Sequence, residues 1–263
     1  MELGFGGEVP DLYHLYRHGY PAAVIDVLAG AFEFSAGDLV VDVGCGTGQL
    51  TLPIAGRVRA VVGIDPEPAM LRRARQAACE AGATNVTWVL GADADLPAVR
   101  LALADRSIAA VTVGQALHWM DHEALFKHAL TLVRPGGGVA VVTNGTPLWL
   151  QDSTWSRGLR AFLERWLDTT LTFPCGTDEP SQRRYEQALT SAGFEAARTA
   201  IDYVADLSFD NLVGGVYSAL PAERLPAADQ RPAFAAQVRA AVGDNERFSE
   251  PVHVVIITGR LRR

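Results

Sequence analysis

The sequence has few cysteines, and they lie far apart along the chain. Its 263 residues include three, Cys45, Cys79 and Cys175, and no Cys-x-x-Cys pair. Disulfide-rich secreted domains and zinc-binding modules need more cysteines at closer spacing. The histidines also lack the spacing of a metal-ligand set. We therefore expect a reducing compartment and no bound metal.

The chain also lacks a basic excess and any long apolar run. It carries 23 lysines and arginines against 30 aspartates and glutamates, which gives a net charge of −7. Nucleic-acid binding needs a concentrated basic surface, so no nucleic-acid partner is expected. No stretch is long enough to span a bilayer, and the first residues, which include Glu2 and Asp11, do not form an export signal. We predict a cytoplasmic monomer or homodimer that binds no membrane.

The sequence does contain a glycine-rich turn directly after a short apolar run. Residues 39–50 read Leu-Val-Val-Asp-Val-Gly-Cys-Gly-Thr-Gly-Gln-Leu, and apolar residues then recur at helical spacing. This pattern predicts a buried strand, a tight turn and a helix. Glycine permits positive φ angles and lets a ligand approach the backbone, and the N–H groups that begin the helix favour an anion.

The spacing of the glycines separates this turn from the one in dinucleotide-binding domains. The dinucleotide fingerprint is Gly-x-Gly-x-x-Gly, whereas glycines stand here at 44, 46 and 48, and Asp42 lies two residues before the first of them. A nicotinamide-dependent oxidoreductase is therefore disfavoured.

Further apolar runs alternate with helical patterns along the chain. Strands are predicted at 60–64, 86–90, 108–113, 139–143 and 195–204, which favours an α/β, doubly wound, mostly parallel sheet. We predict one domain over 1–263. Its parts are an N-terminal arm and helix at 1–38, a core at 39–143, helical insertions at 144–180 and 205–245, and a last strand at 252–258.

Acidic residues follow two of the predicted strands. Asp65 ends the second strand, and Asp93 follows the third, so both fall at the carboxyl edge of the sheet, where ligands bind in this fold class. A carboxylate can accept hydrogen bonds from ribose hydroxyls or from an adenine amino group, and Met70 can contact the adenine face. Asp65 precedes Pro66, so a helix-capping role is the alternative.

Together, these residues resemble the class I S-adenosylmethionine (SAM) dependent methyltransferases. The motifs that carry the resemblance lie within residues 39–143, in the order Asp-x-Gly-x-Gly-x-Gly, Asp65, Asp93 and Arg134-Pro135-Gly136-Gly137. The segment Gln115-Ala116-Leu117-His118-Trp119 resembles a subgroup that acts on small molecules. The resemblance implies a Rossmann-like sheet of seven strands with the last one antiparallel, SAM as cofactor, S-adenosylhomocysteine as product, and methyl transfer.

The resemblance also implies roles for individual residues of the SAM-binding core at 39–143 and of the N-terminal arm. Asp42 is expected to order the turn or to reach the methionine amine through water. A second acid at Asp95 leaves open which carboxylate near Ala94 meets the adenine. The implied cofactor contacts are Gly44, Gly46 and Gly48 to the methionine half, Asp65 to the ribose, Met70, Asp93 and Ala94 to the adenine, Gln115 near the sulfonium, and Tyr16 and Arg17 from the covering arm.

His118 is the candidate general base, because imidazole titrates near working pH and follows the fourth strand. The alternative is a ring that orders its loop through a backbone hydrogen bond. Trp119 is either a face for the sulfonium cation or a core residue. We predict that Tyr20, Trp119 and Trp149 contact the acceptor, and that the helical insertions form its lid.

The sequence thus predicts methyl transfer to an oxygen or nitrogen of a hydrophobic small molecule, such as a secondary metabolite. The alternative is a SAM-binding cyclase or regulatory subunit that transfers no methyl group.

Overall fold

A seven-stranded sheet organises the computed structural model, which describes residues 4–103 and 108–262. The strand order is β3-β2-β1-β4-β5-β7-β6. The pairs β1–β2, β1–β4, β2–β3 and β4–β5 are parallel, whereas β7 runs antiparallel to β5. This confirms the predicted sheet. The strands are β1 Leu39–Val43, β2 Ala60–Asp65, β3 Val86–Leu90, β4 Ile108–Gly114, β5 Val133–Asn144, β6 Glu195–Ser208 and β7 Arg247–Arg260.

Helices connect most of these strands. Residues 1–20, expected to be an arm, contain a helix at 9–16, and the helix after the glycine turn has only five residues. The α-helices of the described residues are α1 Val9–Tyr16, α2 Ala22–Phe32, α3 Thr51–Ala55, α4 Pro68–Glu80, α5 Leu96–Leu103, α6 His122–Leu130, α7 Thr154–Leu167, α8 Glu179–Ser191, α9 Phe209–Tyr217 and α10 Arg231–Val242.

The last strand is longer than predicted. The predicted strand covers 252–258, whereas β7 spans Arg247–Arg260. Its first residues alternate between buried and exposed, and its second half is almost continuously buried. The sequence showed only the buried half, because a continuous apolar run is the stronger strand signal.

The chain divides into two compact units. The sheet unit comprises His18–Asn144, Gly176–Ile201 and Val254–Arg263, and the helical unit comprises Met1–Arg17, Gly145–Cys175 and Asp202–His253. In the sheet unit, side chains from β1, β4, β5 and β7 are fully shielded together with Phe126 of α6. Burial of this kind is typical of parallel strands that helices cover on both faces.

The helical unit has its own apolar core. Leu159 of α7, Leu212 of α9 and Val238 of α10 are fully buried, and the Phe162 and Phe234 rings meet edge to face at 5.3 Å. These helices fall in the segments 144–180 and 205–245, where helical insertions were predicted. Their role as a substrate lid stays a prediction.

Arg134 ties the start of β5 to the segment before β1. Its guanidinium Nε donates to Asp38 Oδ1 at 3.1 Å, and Nη2 donates to the Phe32 carbonyl at 2.9 Å. Burial raises the pKa of Asp38, but the hydrogen bonds from Arg134 and Ser35 outweigh it, so the pKa lies below its usual value. Since β5 begins here, this motif anchors the edge of the sheet opposite the strands' carboxyl ends.

Candidate functional site

The three glycines of the turn all have positive φ, at +67°, +53° and +87° for Gly44, Gly46 and Gly48. A Cβ on Gly44 would lie 2.5 Å from Ala116 Cβ, and one on Gly48 would lie 2.9 Å from the Trp88 ring. A Cβ on Gly46 would meet nothing within 4 Å. Two glycines therefore allow close packing of the turn, while Gly46 faces open space that a ligand can enter.

Asp42, two residues before the turn, holds the elements around it through hydrogen bonds. Its buried carboxylate accepts a hydrogen bond from Thr51 Oγ1 at 2.5 Å and another from Thr112 Oγ1 at 2.7 Å. Burial raises its pKa to about 6, although both threonine bonds oppose the shift. Because Thr51 begins α3 and Thr112 lies in β4, the carboxylate joins the helix to the sheet. This geometry suits a group that orders the turn, and contact with a cofactor stays a prediction.

Asp65 links the end of β2 to the glycine turn. Its Oδ2 accepts from the Gly46 backbone N–H at 2.8 Å, and its Oδ1 accepts from the Glu67 N–H at 2.9 Å. The second bond lies just before α4, whose N-cap is Glu67 without a side-chain capping bond, so Asp65 holds the turn that leads into the helix and is not its N-cap. Burial raises its pKa despite these two bonds. A carboxylate has about four acceptor positions, so two remain for a ligand.

The acids after β3 have different surroundings. Asp95 Oδ2 accepts from the Ala92 N–H of its own turn at 2.8 Å, whereas Asp93 Oδ2 accepts a longer bond, 3.3 Å, from the Asp121 N–H. Asp95 and Ala94 are exposed, and Asp93 is half-buried. The geometry thus favours Asp93 as the acid that meets a ligand. Met70 of α4 is buried.

The segment after β4 carries the candidate base. His118 is partly buried, and burial lowers its pKa to about 4. Its ring lies 5.1 Å from that of Trp119, centroid to centroid. Trp119 is 54% exposed, so it is not a core residue. The Tyr20 hydroxyl covers Gly114 at the end of β4, because a Cβ there would lie 2.6 Å from it.

Three predicted site residues belong to the helical unit. The Tyr16 ring packs against Gly214 of α9, and Arg17 Nε donates to Ser218 Oγ at 2.9 Å. Arg17 also lies 5.3 Å from the centroid of the Tyr13 ring. Trp149 is partly buried against the core of this unit. Their contacts with cofactor or acceptor stay predictions.

Sequence reasoning missed Trp88 and Asn144. Trp88 lies opposite Gly63 in the β2–β3 register, and its ring fills the space that a Cβ on Gly63 or Gly48 would occupy. Asn144 ends β5, and its backbone carbonyl accepts from Gln115 Nε2 at 3.1 Å. Trp88 meets Gly63, and Asn144 meets Gln115, only through the pairing of strands that are distant in sequence. No local pattern in the sequence could therefore have identified either residue.

Within 4–103 and 108–262, no three or more His, Cys, Asp or Glu side chains are grouped to hold a metal ion. In the same part of the chain, no helix combines the length and apolar character needed to cross a membrane.

Comparisons with known proteins agree with this geometry. Residues 40–137 match the family model described as a methyltransferase domain. An uncharacterized methyltransferase of Mycobacterium tuberculosis is 36% identical over 55% of this chain and 53% of its own length. The probable SAM-dependent methyltransferase CRG1 of Saccharomyces cerevisiae is 30% identical over 49% of this chain and 43% of its own. The chain thus spans about half the length of the curated relatives it matches.

A solved structure extends the likeness over the whole fold. A proposed type II methyltransferase from Anaeromyxobacter dehalogenans aligns with a TM-score of 0.62 and 24% identity, over 94% of this chain and 100% of that one. The fold is therefore the Rossmann-like fold of methyltransferases. Beyond the fold, the similarity to a methyltransferase domain lies in residues 40–137, and the two relatives align over about half of this chain.

Proposed function

We propose that the protein transfers a methyl group from SAM to an oxygen or nitrogen of a hydrophobic small molecule, such as a secondary metabolite. The observation that carries the proposal is the glycine turn, which is open at Gly46 and held by Asp65 at the end of β2. The acceptor class is inferred from His118 and the exposed Trp119, which lie in the segment after β4, the strand beside β1.

The residues present fit SAM. The space at Gly46 admits the methionine half next to backbone N–H groups, and the Asp65 carboxylate has acceptor positions for ribose hydroxyls. Asp93 would accept from the adenine amino group, with Met70 and Ala94 beside it, while Gly44 and Gly48 shape the turn. Gln115 would lie near the sulfonium, and Tyr16 and Arg17 would cover the cofactor.

Methyl transfer requires the protein to align the acceptor with the methyl group and to provide a proton acceptor. When bound, SAM would supply a methyl group activated by its positively charged sulfur, and that sulfur would keep the electron pair of the broken S–C bond. The protein must align the acceptor and exclude water. The exposed Trp119 ring offers an apolar, electron-rich face for this purpose, and Tyr20 and Trp149 would complete the contacts. Neutral His118 Nδ1 or Nε2 would take the proton that the acceptor loses.

Replacement of His118 by alanine should lower kcat by about 100-fold, the lower range for a general base, and leave the SAM dissociation constant nearly unchanged. The control is His128→Ala in α6. In the wild-type protein, kcat/KM should rise as the pH rises through about 4 and then level off, because a protonated imidazole cannot accept a proton. Normal turnover in the variant would exclude His118 as the base.

The proposal is tested with SAM labelled with tritium in its methyl group and a panel of phenols and amines. Transfer of label to a phenol or an amine, together with release of S-adenosylhomocysteine, is the expected result. Tight SAM binding without transfer would favour a cyclase or a regulatory subunit. Binding of NADH in a fluorescence titration would instead favour an oxidoreductase. A cytoplasmic location, a monomeric or dimeric state, and the lack of nucleic-acid, membrane and metal partners are further parts of the proposal.

A further inference from the structure

Two buried amide oxygens lie at the carboxyl ends of β4 and β5. Among the described residues, nothing donates a hydrogen bond to Gln115 Oε1 or to Asn144 Oδ1, although both atoms are shielded from water. The two residues are adjacent in space, because Gln115 Nε2 donates to the Asn144 backbone carbonyl at 3.1 Å. Together they form what we call the amide pair.

The orientation of both amides follows from their partners. Asn144 Nδ2 donates to the backbone carbonyls of His18, at 3.3 Å, and Gly19, at 3.2 Å. An amide oxygen placed there, or at the Gln115 Nε2 position, would face another oxygen. The nitrogens must therefore face these carbonyls, and both amide oxygens face the other way.

This arrangement is costly unless a ligand completes it. A buried acceptor without a donor has lost its hydrogen bonds to water and gained none in return. Gln115 also has a φ of 55°, which is unfavourable for a residue with a side chain. Backbone strain and unpaired polar groups of this kind are concentrated at functional sites. The amide pair thus has the chemistry of a site that lacks its hydrogen-bond donor.

We propose that the amide pair determines acceptor specificity by receiving an N–H or O–H group of the methyl acceptor. The inference rests on the proposed function, since Gln115 is expected near the sulfonium and the acceptor must lie next to the methyl group. Amide oxygens accept hydrogen bonds but cannot donate them. The pair therefore suits amines, alcohols and phenols, and it disfavours carboxylates, which have no donor hydrogen at neutral pH and would leave the pair unsatisfied.

The segment before α2 packs against the pair. Asn144 holds His18 and Gly19 through its amide nitrogen, and Tyr20 directly follows and covers Gly114, the neighbour of Gln115. Because the two oxygens are shielded from water, the proposal requires this segment to move aside when an acceptor binds. Asn144 thus connects recognition of the acceptor to the position of Tyr20.

Binding of three probes of similar shape tests the proposal. Benzylamine, benzyl alcohol and benzoate are titrated by ligand-observed NMR into the full chain saturated with S-adenosylhomocysteine. The wild-type protein should bind the two donors at least tenfold more tightly than benzoate. In Gln115→Met and Asn144→Leu, which replace each amide by an apolar group of similar size, this preference should fall below threefold.

The controls separate this inference from the proposed function. Gln76→Met removes an exposed amide of α4 and should keep the wild-type preference. A preference caused by general attraction of cations to an acidic protein would persist in all three variants. Asn144→Leu should bind S-adenosylhomocysteine within twofold of wild type. If Asn144→Leu does not fold, Gln115→Met decides alone.

Three results would overturn the amide pair while leaving the proposed function intact: equal binding of benzoate, binding of none of the probes, or a preference that both variants retain. Weaker cofactor binding in both variants, with an unchanged preference, would assign the pair to SAM and also overturn the inference. A wild-type protein that binds no S-adenosylhomocysteine would exclude the proposed function as well.

Discussion

Replacement of Gly44 by alanine is expected to lower the free energy of unfolding by about 2–5 kcal/mol. A φ of +67° costs a residue with a side chain about 1–2 kcal/mol, and overpacking costs about 1–3 kcal/mol more. The new Cβ would lie 2.5 Å from Ala116 Cβ and 2.7 Å from Met120 Cε. Met120 can move, but Ala116 can yield only through a backbone shift. Urea denaturation measures the change.

The matched control is Gly46→Ala in the same turn. A Cβ there meets no protein atom within 4 Å, so the loss of stability should be limited to about 1–2 kcal/mol from its φ of +53°. The methyl group would instead occupy the space proposed for the methionine half of SAM, so affinity for SAM should fall at least tenfold. Normal SAM binding by Gly46→Ala would show that the methionine half does not lie at Gly46. Equal stability of the two variants would contradict the packing argument for Gly44.

Replacement of Asp65 by alanine should weaken SAM binding by about 1.5–3 kcal/mol, the range for hydrogen bonds to a charged group, or roughly 10- to 150-fold. Two effects contribute. The ribose hydroxyls lose their acceptor, and Gly46 loses the carboxylate that holds its N–H at 2.8 Å. Isothermal titration calorimetry with SAM measures the sum, and Asp26→Ala on the exposed surface of α2 is the control.

A cofactor without ribose hydroxyls separates these two effects. Wild-type protein should bind S-adenosylhomocysteine more tightly than its 2′,3′-dideoxy form, whereas Asp65→Ala should scarcely distinguish the two. If the variant retains the full preference, Asp65 does not contact the ribose. Its remaining roles would then be to hold the backbone N–H groups of Gly46 and of Glu67, in the turn before α4.

The order of strands and helices along the core could be predicted because its signals are local. Most parallel strands are short apolar runs, and β3 lies at the predicted residues, Val86–Leu90. β5, at Val133–Asn144, starts before the predicted 139–143, because its first residues include Pro135 and three glycines and give no apolar run. The helix at 9–16 was not predicted, because its aromatic and basic residues hide the apolar face that identifies a surface helix.

The glycine turn and the strand-end acids were also evident from the sequence, since spacing along one chain fixes their order. Their hydrogen-bond partners were not evident. Asp42 accepts from Thr112, which lies 70 residues away, and Gln115 donates to Asn144, 29 residues away. The sequence likewise predicted His118 as a titrating group, but burial lowers its pKa to about 4.

By itself, the sequence determined the α/β order, the position of the glycine turn and the residue types at the strand ends, because these depend on neighbours within a few residues. The tertiary structure alone decided that Gly44 and Gly48 pack tightly while Gly46 stays open, that Trp88 lies opposite Gly63, and that two amide oxygens remain without a donor. These features depend on the register of strands distant in sequence and on burial, and both arise only when the sheet forms.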